Sequence, residues 1–219
     1  FKAYLPGRVF CEGNLTLTPI LLKEGRFYSR KGQGATVKNP KTKKNAGLRV
    51  AFVGGINSEK GGKAVTEIIR HGSSQIEWYV IGGIGEPELA HLRKNNLIKT
   101  GYYHQEDLYI YLKYYQIDVV CILSKCPETF SYTLSEAIVS HIPVIVTDTG
   151  ALGQRVRALD CGVVVSAADD NETAAAVNRQ LSRWVDNSED YQRLLKKIED
   201  CPVFSVEEML QEYRKLYAA

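Results

Sequence analysis

The sequence predicts an α/β protein built on a doubly wound parallel sheet. Three observations carry this. From residue 48 onward, short apolar runs alternate with amphipathic stretches of helical period. The runs are apolar on both faces, as strands covered by helices on both sides must be. Glycine-rich turns follow the runs, where loops enter helices and where open α/β sheets bind ligands.

LRVAFVGG (48–55) reads as a buried strand running into glycines, and EKGGKAVTEIIRH (59–71) as a helix. EWYVIGG (77–83) is a second strand with a second glycine turn, and EPELAHLRKN (86–95) is helical. LIKTGYY (97–103) reads as a short strand, EDLYIYLKYYQ (106–116) as a helix and DVVCILS (118–124) as a strand. TFSYTLSEAIVSH (129–141) is helical and PVIVTD (143–148) a strand. A short helix near 151–159, a strand at CGVVVS (161–166) and helices to the end complete the pattern. The last is FSVEEMLQEYRKLY, in which Ser205 and Glu208 form a capping box. Residues 48–219 thus read as one Rossmann-like unit, and residues 1–47 as an N-terminal basic extension. In that extension NLTLTPILL and GRFYS read as strands and residues 31–46 as a loose connector.

Hydrophobic content of 44% and charged content of 24% are ordinary for a soluble globular chain of 219 residues. No apolar run approaches the roughly 18 residues of a membrane span. The chain opens on Phe1 rather than Met and shows no signal peptide, so a piece of a longer protein is expected. The net charge of +3 is uneven. Residues 1–49 carry 11 Lys and Arg against two Glu, and the remainder is acidic. A uniform nucleic-acid-binding surface is not patterned this way. The basic segment reads as a solvated connector, with peripheral attachment to acidic lipid as the alternative. The five cysteines lack CxxC or metal-ligand spacing and read as reduced thiols. No metal site is expected. The sequons at Asn14 and Asn171 read as chance matches.

The segment CPETFSYTLSEAI (126–138) carries Glu128 before the predicted helix and Glu136 inside it. At about 1.5 Å per helical residue the carboxylates stand roughly 10 Å apart along the axis. That exceeds the roughly 5 Å of a carboxylate pair acting on one bond. It suits contacts to opposite ends of an elongated ligand, with the free N–H groups of the helix start attracting a diphosphate between them. VGGINSEKGG (53–62) places Gly54, Gly55 and Lys60 after the first strand, a weaker phosphate-type signal.

The order of these motifs resembles the C-terminal donor-binding domain of group 1 (family 4) glycosyltransferases of the GT-B fold. The matching features are Lys60-Gly61 after the first strand, Gly101-Tyr102, and Ser124 followed by Glu128, Glu136 and Ala137. Pro143-Val144-Ile145 and the turn at Gly150 follow in order. The resemblance covers roughly residues 48–185. It implies that Glu128 contacts the donor sugar and Glu136 the ribose. Lys60 and the backbone of Thr129, Phe130 and Ser131 would hold the diphosphate. Gly82, Gly83, Tyr102 and Tyr103 would lie near the base. It also implies a retaining, metal-independent transfer with Glu128 and Lys60 as the catalytic groups, and no cofactor, the nucleotide-sugar being a substrate.

The chain departs from the family at Gly55, where an arginine is usual, and Arg155 is the candidate replacement at the diphosphate. Thr129 and Ser131 replace the usual glycines after the first glutamate. PETFSYTLSEA with Gly150, Ala151 and Arg155 looks like a branch found in large bacterial surface-polysaccharide transferases. Such an enzyme would work in the cytoplasm, at the inner face of the plasma membrane, on a carbohydrate or lipid-linked acceptor. An N-terminal acceptor domain is missing from residues 1–47, so the isolated chain is expected to bind a nucleotide-sugar without transferring sugar. Two other readings are open to the same pattern. A nucleotide-sugar epimerase of the same fold needs a histidine at the sugar, and His104 and His141 are the only central ones. A receiver-like module needs an acidic cluster at a strand end, whereas Asp118 precedes its strand and Asp148 stands without acidic partners; a non-catalytic scaffold of the same fold stays open, given Gly55.

Overall fold

A computed structural model describes residues 47–104 and 107–201, together with residues 9–10, 26–28, 34–36, 203–204, 211 and 214–215. Two short pairings involve the N-terminal segment. β1 (Val9–Phe10) runs parallel to β10 (Val203–Phe204), and β2 (Arg26–Tyr28) runs antiparallel to β3 (Gly34–Thr36). The predicted GRFYS strand is therefore present. The loose connector expected over 31–46 contains β3, because the extended β2 segment needs a partner for its backbone N–H and C=O groups. The predicted NLTLTPILL strand and the Ser205–Glu208 capping box lie outside the described residues, and Phe204 belongs to β10 instead of a helix.

The main sheet has six parallel strands: β4 (Arg49–Val53), β5 (Glu77–Ile81), β6 (Leu97–Gly101), β7 (Val119–Ile122), β8 (Val144–Thr147) and β9 (Gly162–Val165). Their order is β6-β5-β4-β7-β8-β9, so the chain winds one way from β4 and then the other way from β7. The predicted doubly wound sheet is what forms, and β4 and β7 flank its switch point.

Alternation along each strand builds the two faces. In β4, Val50 and Phe52 enter one apolar cluster while Ala51 and Val53 enter the other. In β5, Trp78 and Val80 oppose Tyr79 and Ile81 in the same way. One face is covered by α1 (Gly62–His71), α2 (Pro87–His91) and α6 (Asp170–Asp186), which contribute Ile68, Leu89 and Trp184. The other is covered by α3 (Leu108–Tyr114), α4 (Tyr132–Val139) and α5 (Ala151–Leu159), which contribute Leu112, Leu134 and Val156. α7 (Ser188–Glu199) sends Leu194 to the first cluster and Ile198 to the second. Among the described residues no helix is long and apolar enough to cross a membrane.

Candidate functional site

A cleft of about 660 Å³ opens at the carboxyl ends of β4, β5, β6 and β7, beside the switch point. Twelve of the residues expected from the sequence line it: Gly54, Gly55, Lys60, Gly82, Gly83, Tyr102, Tyr103, Glu128, Thr129, Phe130, Ser131 and Glu136. Pro127, Tyr132 and Thr133 line it as well. Thr133 stands three residues before Glu136, hence on the same helix face, and that spacing was the available signal for it.

The glycine turns after β4 and β5 are laced together. The amide of Gly54 donates to the carbonyl of Ile81 at 2.9 Å, and that of Ile56 to Gly83 at 2.8 Å. Gly82 sits at φ 134°, and a Cβ there would stand 2.1 Å from the carbonyl oxygen of Gly54. Only glycine allows this approach. A Cβ on Gly83 would meet the Tyr102 ring at 2.5 Å, so the ring lies against bare backbone while Tyr102 stays 90% exposed. Tyr103 packs on Tyr111. Burial and the neighbouring Glu136 carboxylate push its phenol above the usual range, so Tyr103 stays neutral.

Across the cleft, the ammonium of Lys60 is ion-paired with the carboxylate of Glu128. The two residues come from the loops after β4 and β7, so this contact spans the switch point. Glu128 is in turn fixed by its backbone. It bridges to Gly150, and its carbonyl accepts from the amide of Ala151 at 2.9 Å. Gly150 is at φ 50°, and a Cβ there would stand 2.7 Å from the carbonyl oxygen of Glu128.

Two expected ligand contacts take other positions. Ser124 is fully buried and donates to the carbonyl of Cys126 at 2.9 Å. Its own carbonyl accepts from the hydroxyls of Thr147 at 2.5 Å and Thr149 at 3.0 Å, so it braces the loop from below the cleft. Arg155 is also fully buried and does not line the cleft. Its guanidinium donates to the carbonyl oxygens of Phe130 at 2.5 Å and Ser131 at 3.2 Å and to the hydroxyl of Ser135 at 3.0 Å. It also lies over the Phe130 ring, 4.3 Å from the centroid. The arginine therefore grips the loop from behind and does not replace the missing arginine at Gly55, because α5 delivers it to the core side.

The predicted helix from residue 129 begins at Tyr132, so Thr129, Phe130 and Ser131 form a loop. Ser131, the residue before the helix, holds φ 67° and ψ 93°. Holding a non-glycine residue there costs of order 1–3 kcal/mol, and such strain concentrates at ligand sites. His104 and His141 do not line the cleft. Asp148 is outside it too, paired with Arg157 through contacts of 2.8 and 2.5 Å. Among the described residues no group of three or more His, Cys, Asp or Glu is placed to hold a metal.

The family profile described as "Glycosyl transferases group 1" matches residues 47–183, which is more than half of the sequence. The chain belongs to the group 1 glycosyltransferases. Among solved structures, the glycosyltransferase fold recurs at low identity. The Anabaena protein Alr3699/HepE, in a complex with UDP-glucose, is 17% identical with a TM-score of 0.59, over 79% of this chain and 49% of that one. The C-terminal domain of the group 1 glycosyltransferase LpcC from Francisella tularensis is 21% identical with a TM-score of 0.56, over 72% of this chain and 86% of that domain. Sucrose-phosphate synthase from Thermosynechococcus elongatus is 21% identical with a TM-score of 0.55, over 78% of this chain and 46% of that one. This chain therefore spans about half the length of the Anabaena and Thermosynechococcus proteins. No curated protein matches in sequence. The six-stranded sheet has the architecture of a GT-B C-terminal domain.

Proposed function

We propose that this chain is the donor-binding half of a retaining, metal-independent glycosyltransferase acting in polysaccharide synthesis. The observation that carries the reading is the convergence of Lys60, Glu128 and Glu136 on one cleft at the sheet's switch point. The ligand class comes from chemistry: one ammonium for a diphosphate, a helical carboxylate for ribose hydroxyls and a second carboxylate for sugar hydroxyls. Glycine turns leave room for the backbone to approach, and Tyr102 and Tyr103 flank the position of the base. The binding of UDP-glucose by the Anabaena relative supports a nucleotide-sugar as the donor.

In transfer, negative charge develops on the departing diphosphate. Lys60 and the amide N–H groups at the start of α4 oppose that charge and take the part a divalent ion plays elsewhere. Binding requires Lys60 to exchange part of its pairing with Glu128 for phosphate oxygens, which frees Glu128 to accept from the sugar. A second Rossmann-like domain would bring the carbohydrate or lipid-linked acceptor. No cofactor and no nucleic acid enter the scheme. The site of action is the cytoplasm, at the inner face of the membrane.

Calorimetric titration of UDP, GDP, ADP and dTDP, in chelator and in magnesium, tests this. One nucleoside diphosphate is expected to bind, with the same affinity in both buffers. Absence of binding by all four contradicts the proposal, and binding only with magnesium contradicts its metal-independent part. The isolated chain is expected to bind donor without turnover, and transfer by it on a matched acceptor would overturn the half-site assignment. In the longer protein, an NMR assay of the product should find the donor's anomeric configuration retained.

A further inference from the structure

Arg155 is a charged side chain that does not reach the cleft. It is fully buried, yet three of its hydrogen bonds go to the segment that forms the cleft wall: the Phe130 and Ser131 carbonyls and the Ser135 hydroxyl. In a trans peptide the C=O and the following N–H point in opposite directions. Drawing the carbonyls of Phe130 and Ser131 toward Arg155 therefore turns the amide N–H groups of Ser131 and Tyr132 away from it, toward the side of the loop that lines the cleft.

The backbone shows that this orientation is imposed. Ser131 lies at φ 67° and ψ 93°, where a serine does not settle unaided. A lysine ammonium could not substitute, because the planar guanidinium reaches two carbonyls and a hydroxyl while stacking on the Phe130 ring at 4.3 Å. The same helix holds the other end of the loop through Gly150 and Ala151 against Glu128. α5 and the turn before it thus hold both the Glu128 backbone and the Phe130 and Ser131 carbonyls of one wall.

Resting on the donor-site reading above, we infer that Arg155 is a positioning residue for diphosphate recognition, aiming the amide N–H groups of Ser131 and Tyr132 at the donor's phosphates from behind the loop. The nucleoside part is held elsewhere, by Glu136 and the glycine turns, so the effect of Arg155 is larger for a diphosphate than for a monophosphate.

Calorimetry with the preferred nucleoside diphosphate and its monophosphate tests this on wild type, Arg155→Met, Arg155→Lys and Ser135→Ala. Arg155→Met is expected to weaken the diphosphate about tenfold or more while the monophosphate stays within about twofold, since hydrogen bonds to charged groups are worth that much. Arg155→Lys should lose part of the preference, and Ser135→Ala, which leaves both carbonyl contacts in place, should keep it. A lowered melting temperature with an unchanged diphosphate-to-monophosphate ratio in both arginine variants would overturn the proposal. If Arg155→Met does not fold, the ratio in Arg155→Lys decides alone. Failure of wild type to bind any nucleotide would overturn the donor-site reading and this inference together, whereas a loss of ratio confined to the arginine variants isolates the role of Arg155.

Discussion

At the scale of single residues, the two glutamates of CPETFSYTLSEAI have separate positions: Glu128 in the loop, paired with Lys60, and Glu136 on the helix beside Tyr103. Both lie in the cleft, and their eight-residue spacing made it legible that one stands before the helix and the other inside it. Three aspects were not legible. The left-handed backbone of Ser131 and the inward course of Arg155 depend on tertiary contacts between segments about 20 residues apart, which no local pattern encodes. Ser124 stands in the expected order of motifs, but burial turns it into a brace. Gly55 poses a sharper question. A Cβ at this position meets nothing within 4 Å, so the cleft has room for the side chain the family usually carries there. Gly55→Arg is predicted to fold and to tighten nucleoside diphosphate binding by roughly fivefold, the scale of an exposed ion pair. Titration in low and high salt checks it, and the gain should shrink in high salt.

At the scale of elements, the strands were readable because apolar residues on both faces admit only a covered sheet, and β4 and β5 split their side chains between the two clusters. Helix ends were less readable. α3 was expected over 106–116 and occupies Leu108–Tyr114, with Gln116 turned to φ 51° on the way into β7. α4 loses its expected first residues to the loop that Arg155 holds. α6 shows a cap that works locally: the Asp169 carboxylate accepts from the amides of Asn171 and Glu172 at 2.8 and 3.0 Å. Asp169→Ala should therefore cost about 1 kcal/mol. In a domain of this size that lowers the melting temperature by about 2–4 °C. Because α6 supplies none of the cleft residues, nucleotide affinity should not change, and a thermal melt beside a titration separates the two effects.

At the scale of the whole molecule, the sheet order β6-β5-β4-β7-β8-β9 places four loop clusters along one edge, and the cleft uses the loops on both sides of the switch point. This explains why motifs about 70 residues apart, at Lys60 and Glu128, meet in an ion pair. In the N-terminal segment the expected GRFYS strand is β2, and its partner β3 falls where a loose connector was expected, because pairing between two segments is not written in either alone. The central claim is that this edge binds a nucleoside diphosphate with Glu136 on the ribose. The most direct test is a thermal-shift comparison of wild type and Glu136→Ala with the preferred nucleoside diphosphate. At 100 times the dissociation constant, wild type should gain about 2.7 kcal/mol, and Glu136→Ala should lose most of that gain at the same concentration. Equal stabilisation of the two proteins, or none in wild type, would contradict the account.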